Sequence, residues 1–224
     1  MKYEFIDIGC GQTNVSSDKS FFGTNVNGLL VEPIEEYCKI LPQSNTVLVE
    51  CAAIGEYDGF KKLNVVLEGN KIEYIPYKLY SNPKAWNRYC KKNNIQYTGT
   101  SSFNNQNEII YKNNCTIRKV KLMTIKTLLE KYNITEVDQL KIDVEGWEPI
   151  ILQQFIDIMK LKKFKVNKKI IFEYFPDDVV PNHKNKKLLD NLIREICSKF
   201  QFKYRYCHKN LDSDIIMEKI WKKY

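Results

Sequence analysis

Along this chain, short apolar runs that end in glycine or acid alternate with stretches whose apolar positions recur at helical spacing. The first run, Tyr3–Ile8, ends at Gly9-Cys10-Gly11. The second, Gly28–Val31, ends at Glu32-Pro33, and Ile34, Tyr37, Cys38 and Leu41 then share one face of a short helix. Thr46–Cys51 is a third strand and runs into Ala52-Ala53-Ile54-Gly55. From about residue 60 to 115 clear periodicity fades into a Tyr-, Asn- and Lys-rich stretch punctuated by Pro76 and Pro83. It reads as an elaborated connection with some edge-strand or hairpin structure. Alternation returns at Thr116–Leu122, and a helix follows over Ile125–Tyr132 with Thr124 as its N-cap. Gln139–Val144 is the next strand. Trp147, Ile150, Ile151, Phe155, Ile158 and Met159 then recur at helical spacing, with Pro149 tolerated in the first turn. Lys169–Tyr174 is a strand that ends at Glu173. Leu188, Leu189, Leu192, Ile193, Ile196, Cys197 and Phe200 make an amphipathic helix. Phe202–Tyr206 and Asp214–Glu218 close the chain as an antiparallel pair. Strands that alternate with helices predict βαβ units and a largely parallel sheet. With no internal repeat and no Gly/Ser linker, residues 1–224 read as one domain, and 60–115 as an insertion after the third strand.

Composition changes this picture little. The length suits one α/β domain with a sizeable core. The net charge of +8 would draw anionic partners, but arginine stands only at 88, 118, 194 and 205. Lysine is the weaker phosphate reader, so a solvated lysine surface, or the bias of an AT-rich genome, is the plainer reading. The seven cysteines are scattered, with no C-x-x-C pair. That argues against a structural zinc site and for buried, reduced thiols in a cytoplasmic protein. No apolar run is long enough to span a bilayer, and the first residues lack a secretory pattern.

Chemistry concentrates where strands end. Ligands of open α/β sheets bind just beyond the carboxyl ends of the strands. Asp7-Ile8-Gly9-Cys10-Gly11 places glycines there, and Glu32 follows at the end of the next strand, where an acid can accept ribose hydroxyls. The third glycine of the dinucleotide fingerprint is missing, since positions 12 to 14 are Gln, Thr and Asn. A G-x-G loop and a ribose acid without a pyrophosphate seat suit a mononucleoside cofactor, with S-adenosylmethionine the obvious candidate. Leu140-Lys141-Ile142-Asp143-Val144-Glu145-Gly146-Trp147-Glu148 is a buried strand that ends in two acids and a glycine before a helix.

Taken in order, Ile6-Asp7-Ile8-Gly9-Cys10-Gly11, Leu30-Val31-Glu32-Pro33, Ala52-Ala53-Ile54-Gly55 with Gly59, Ser101-Ser102-Phe103, and the 140–148 block with Leu152 resemble the FkbM-type S-adenosylmethionine-dependent methyltransferases. The resemblance covers roughly residues 3 to 175. It implies a class I, Rossmann-like methyltransferase fold: a mostly parallel seven-stranded sheet with the last strand antiparallel and helices on both faces. It also implies O-methylation of a sugar, a glycan or a small metabolite, with the 60–115 region on the acceptor side. Carried over, Asp7, Gly9 and Gly11 line the methionine end of the cofactor, Glu32 holds the ribose, and Ala52, Ala53 and Ile54 lie near adenine. Asp143 and Glu145 face the methyl group and the acceptor. The chain departs from the family at Cys10 and Gln12-Thr13, inside the cofactor loop.

A sugar hydroxyl is a poor nucleophile until its proton is accepted, and a positioned base supplies about 10²- to 10⁴-fold. Asp143 is the candidate base, with Glu173 ending the next strand and His208 following Phe202–Tyr206 as further candidates. Asp143 and Glu173 either share a proton or hold a divalent cation such as Mg²⁺. The metal-free reading is preferred. Glu145 could instead complement the following helix dipole, Glu148 reads as first-turn charge, and Lys141 as a salt-bridge partner of Asp143. Two other functions stay open: RNA ribose 2′-O-methylation, which the lysines favour and the sparse arginine disfavours, and a non-catalytic nucleoside-binding scaffold.

Overall fold

In the computed structural model, residues 1–11, 26–41, 44–66, 115–144, 146–174, 186–209 and 212–220 are described, with 115, 207–209 and 212–214 traced through their backbone. The strands are β1 (Lys2–Ile8), β2 (Gly28–Glu32), β3 (Val47–Cys51), β4 (Ala53–Ile54), β5 (Gly59–Val66), β6 (Cys115–Met123), β7 (Glu136–Ile142), β8 (Lys165–Glu173), β9 (Phe202–Lys209) and β10 (Asp212–Lys219). The helices are α1 (Glu35–Ile40), α2 (Ile125–Lys131), α3 (Glu148–Lys160) and α4 (Lys186–Phe200).

Seven strands form the main sheet in the order β3-β2-β1-β7-β8-β10-β9. β3, β2, β1, β7 and β8 are parallel, while β10 runs antiparallel to both of its neighbours. This is the α/β architecture expected, with the last strand in sequence as the antiparallel one. From β1 the chain builds outward through β2 to β3, and from β7 it builds the other way. The strand order therefore reverses between β1 and β7, where α/β sheets open a crevice at their carboxyl ends.

Alternation assigns each strand residue to a face. Ile6, Ile8, Leu29, Val31, Leu140, Ile142, Ile170, Phe172, Ile215 and Met217 enter the larger core with Leu128 of α2, Phe155 of α3 and Ile193 of α4. Their neighbours Phe5, Leu30, Ile171 and Ile216 point the other way and join Cys10, Leu41 and Val47 in a smaller cluster. Among the described residues α2, α3 and α4 thus all cover one face, and the opposite face receives Leu41 from the end of α1. Phe5, Phe155 and Phe172 are fully buried, and truncating such a ring to alanine costs about 3–5 kcal/mol.

The predicted strand Thr116–Leu122 leaves the main sheet. As β6 it joins a second sheet in the order β4-β6-β5 and pairs antiparallel with β5 along its length. β5 occupies the start of the segment read as an elaborated connection with some edge-strand or hairpin structure. Its Leu63 and Val65 are buried against Ile34, Tyr37, Ala53, Val120 and Leu122, while Phe60 faces outward. Residues 67–114 of that segment lie outside the described residues. Glu50 of β3 ties the two sheets: its buried carboxylate accepts hydrogen bonds from Lys121 of β6 at 2.9 Å, from Tyr132 at 2.8 Å, and from Lys131 of α2.

Thr124 caps α2 as expected, accepting from Thr127 N at 3.1 Å. Asp58 adds a second clamp, on Thr124 N at 2.8 Å and Thr127 Oγ1 at 2.7 Å. The buried stripe of α3 runs through Ile151, Leu152, Phe155, Ile156 and Met159, so Ile150 and Ile158 sit on its margin. In α4 the stripe is Leu189, Leu192, Ile193 and Ile196; Leu188, one residue out of register, is 46% exposed. At the amino ends of the strands, buried Asp138 is matched by Lys2 at 3.0 Å and Lys168 at 2.6 Å.

Candidate functional site

The site lies where the order reverses, beyond the carboxyl ends of β1, β2 and β7. Asp7 pairs with Lys141 and Ile8 with Ile142 across the β1–β7 ladder. One residue further, Asp143 N donates to Ile8 O at 2.9 Å, and Gly9 N donates to Val31 O at 2.9 Å. Gly9 and Asp143 therefore extend the sheet past its formal end and meet there. Gly9 has φ +78°, and a Cβ on it would stand 1.8 Å from the Asp143 carbonyl oxygen. No side chain can occupy that position without moving the loop.

Gly11, at φ +59°, faces open space, with nothing within 4 Å of where a Cβ would be. Its N–H donates to Glu32 Oε2 at 2.9 Å, and Ile34 N donates to Glu32 Oε1 at 3.0 Å. The acid joins the first glycine loop to the entry of α1, and each carboxylate oxygen keeps a lone pair for a further donor. Burial pushes the Glu32 carboxyl up to about 7 against the pull of those two N–H groups, and the charges of Asp7 and Asp143 add to the rise.

Lys141 stands between the two sides of the crevice. Its Nζ lies 3.2 Å from Asp143 Oδ2 and 3.8 Å from Asp7 Oδ1, on a side chain only 17% exposed. Every second residue faces the same way, so Asp7, Lys141 and Asp143 share the face of the smaller cluster. Glu173 lies one position past the Ile142–Phe172 pair of the β7–β8 ladder, on that same face and half-buried. The two acids proposed as a pair thus end adjacent strands.

Glu148 departs from expectation. It is 3% exposed, and its two oxygens accept Val144 N and Gly146 N, each at 2.9 Å. It is a buried clamp on the loop that carries Asp143, not a solvated first-turn charge. Burial pushes its carboxyl up to about 7, and the nearby charge of Asp143 adds to that. In the sequence, a buried clamp and a surface acid at a helix start look alike. The same loop is braced from the small sheet, where Lys61 Nζ sits 4.0 Å above the ring of buried Trp147. Glu145 lies outside the described residues.

Other expected contacts shift. Cys10 is fully buried among apolar neighbours, its Sγ toward Val31 O at 3.7 Å, and burial pushes its thiol well up. Ala52, Ala53 and Ile54 turn their side chains into the cores. Cys51, which pairs with Glu32 across the ladder and is half-buried, takes the place next to that acid. The backbone of His208 lies on β9, three strands from β7 and therefore roughly 14 Å away at ordinary strand spacing; its side chain lies outside the described residues. Among the described residues, no group of three or more His, Cys, Asp or Glu is arranged to hold a metal, and no helix is long and apolar enough to cross a membrane.

The open space at Gly11 beside Glu32 fits a ligand that approaches the backbone closely and donates hydroxyl hydrogens to a buried carboxylate. No curated protein matches the chain. Among solved structures it is similar to the crystal structure of precorrin-6y C5,15-methyltransferase from Geobacter metallireducens GS-15, at 12% identity and a TM-score of 0.38 over 99% of this chain and 81% of that one. The family model of the methyltransferase FkbM domain matches residues 10–206, which hold Glu32, Lys141, Asp143 and Glu148, and the chain belongs to that methyltransferase family.

Proposed function

We propose that this methyltransferase takes its methyl group from S-adenosylmethionine and moves it to a hydroxyl of a sugar, a glycan or a small metabolite. The observation that carries the reading is the pairing of a nucleoside-type cradle with a poised carboxylate across one crevice. Gly11 leaves room beside Glu32, and Asp143 is held against Gly9 on the next strand. Glu32 would accept the ribose hydroxyls, while Asp7 and the Gly9–Gly11 backbone would border the amino acid end.

When bound, the cofactor supplies a methyl group on a positively charged sulfur. The chain's part is to hold both reactants in line, which contributes roughly 7–11 kcal/mol in well-oriented systems, and to take the hydroxyl proton. Asp143 is the base in this reading. It is the acid tied to the cofactor loop through backbone, whereas Glu173 is one strand further out and β9, which carries His208, is further still. The reading needs no metal, so activity should survive EDTA.

Calorimetry with S-adenosylmethionine tests the cofactor, and absence of heat at millimolar ligand would refute the reading. Transfer from methyl-labelled cofactor to a panel of free sugars, glycans and capped RNA then identifies the acceptor. Label entering RNA alone would replace the sugar reading with ribose 2′-O-methylation.

A further inference from the structure

We infer that Lys141 sets how this site distinguishes the cationic cofactor from its neutral product, by placing a fixed positive charge between Asp7 and Asp143. The inference rests on the cofactor proposed above. Methyl transfer to a hydroxyl forms a C–O bond as the C–S bond breaks. The electron pair stays with sulfur, and the hydroxyl proton passes to a carboxylate. The sulfur centre therefore loses one unit of positive charge between reactant and product. Any fixed charge in the crevice acts on that difference and on little else, because the two ligands are otherwise nearly the same molecule.

Asp7 and Asp143 stand at the carboxyl ends of adjacent strands, where two bare acids would strongly favour the cation. Lys141 offsets them. Its Nζ is held 3.2 Å from Asp143 and 3.8 Å from Asp7 on a largely buried side chain. Its backbone stands within β7 itself, at the position paired with Asp7, and the two carboxylates on either side hold the ammonium between them. Charge fixed in so enclosed a place is screened much less than charge on the surface. The site thus gives up part of its grip on the sulfonium and keeps its grip on the thioether. Because the transition state is already losing positive charge at sulfur, a site that holds the cation less tightly favours transfer. Lys141 acts here as a specificity-determining residue, and its effect is separable from any role in orienting Asp143.

The test is calorimetry with S-adenosylmethionine and S-adenosylhomocysteine on the wild type and on Lys141→Met, Lys141→Gln and Lys141→Arg. Lys62→Met serves as control, since Lys62 is an exposed lysine of β5. The readout is the ratio of the two Kd values, which cancels general damage to the pocket. Lys141→Met and Lys141→Gln should shift the ratio about tenfold in favour of the sulfonium ligand, the scale of one unit charge across a partly screened crevice. Lys141→Arg and Lys62→Met should leave it within twofold of wild type. If one neutral variant is too unstable to use, the other carries the measurement. A ratio unchanged in a neutral variant that still binds overturns the inference and leaves the cofactor reading standing. A wild type that binds neither ligand overturns both.

Discussion

At the scale of single residues, the site is built on acids that the backbone, more than other side chains, holds in place. Glu32 and Glu148 each accept two main-chain N–H groups, yet burial lifts both carboxyls from 4.5 to about 7. A folded-state pKa above the unfolded one means that the native state binds the extra proton. Their contribution to stability is complete below pH 4.5 and is lost as pH rises through about 7. Thermal unfolding should therefore show Tm falling between those values, and Glu32→Gln should flatten the slope; a wild-type Tm that climbs over this range would contradict the assignment. Asp143→Asn should leave affinity for the neutral S-adenosylhomocysteine within about twofold while kcat drops by about 10²- to 10⁴-fold, as loss of a general base requires. Asp7, Glu32 and Asp143 were legible in the sequence because each follows an apolar run and thus had to stand at a strand end. Glu148 was misread and the reach of Lys141 to Asp7 was invisible. Burial and cross-strand distance belong to tertiary packing, which the local pattern does not encode.

At the scale of elements, the β7–α3 connection is the most tightly specified segment near the site. Asp143 N continues the ladder to Ile8, Glu148 satisfies two amides of the turn, and Trp147 is packed under Lys61. Glu148→Ala leaves two partly buried donors without their acceptor, at a cost of about 1–3 kcal/mol in chemical denaturation. The loss in cofactor affinity should be small next to that, because the Gly11–Glu32 bond is untouched. Thr124→Ala removes the cap of α2 and should cost about 1 kcal/mol. That cap could be read from the sequence, since a threonine ahead of an apolar helical stripe has few other uses. β5 was legible only as edge-strand or hairpin structure without a position: Leu63 and Val65 alternate, but among Lys61, Lys62 and Asn64 the run is too short to stand out from its polar surroundings. β6 was legible as a strand, yet its partner was not, because pairing depends on where the chain returns.

At the scale of the whole molecule, a mostly parallel sheet that reverses its order between β1 and β7 is tied to a small mixed sheet, with one buried acid, Glu50, among the ties. Burial alone would raise the pKa of Glu50; the hydrogen bonds from Lys131, Lys121 and Tyr132 outweigh it and hold the carboxyl below its usual value. Its contribution is present above the unfolded value and lost as pH falls through the folded one, the reverse of Glu32. Glu50→Gln should lower stability by about 1–3 kcal/mol at neutral pH and less in acid, a difference that denaturation at two pH values measures. The contact of Gly9 with the Asp143 carbonyl reaches beyond energetics. A side chain at position 9 would collide with that carbonyl, while the junction itself is made by backbone on both strands. The acid at 143 can therefore be exchanged without undoing the junction, whereas position 9 has to stay glycine.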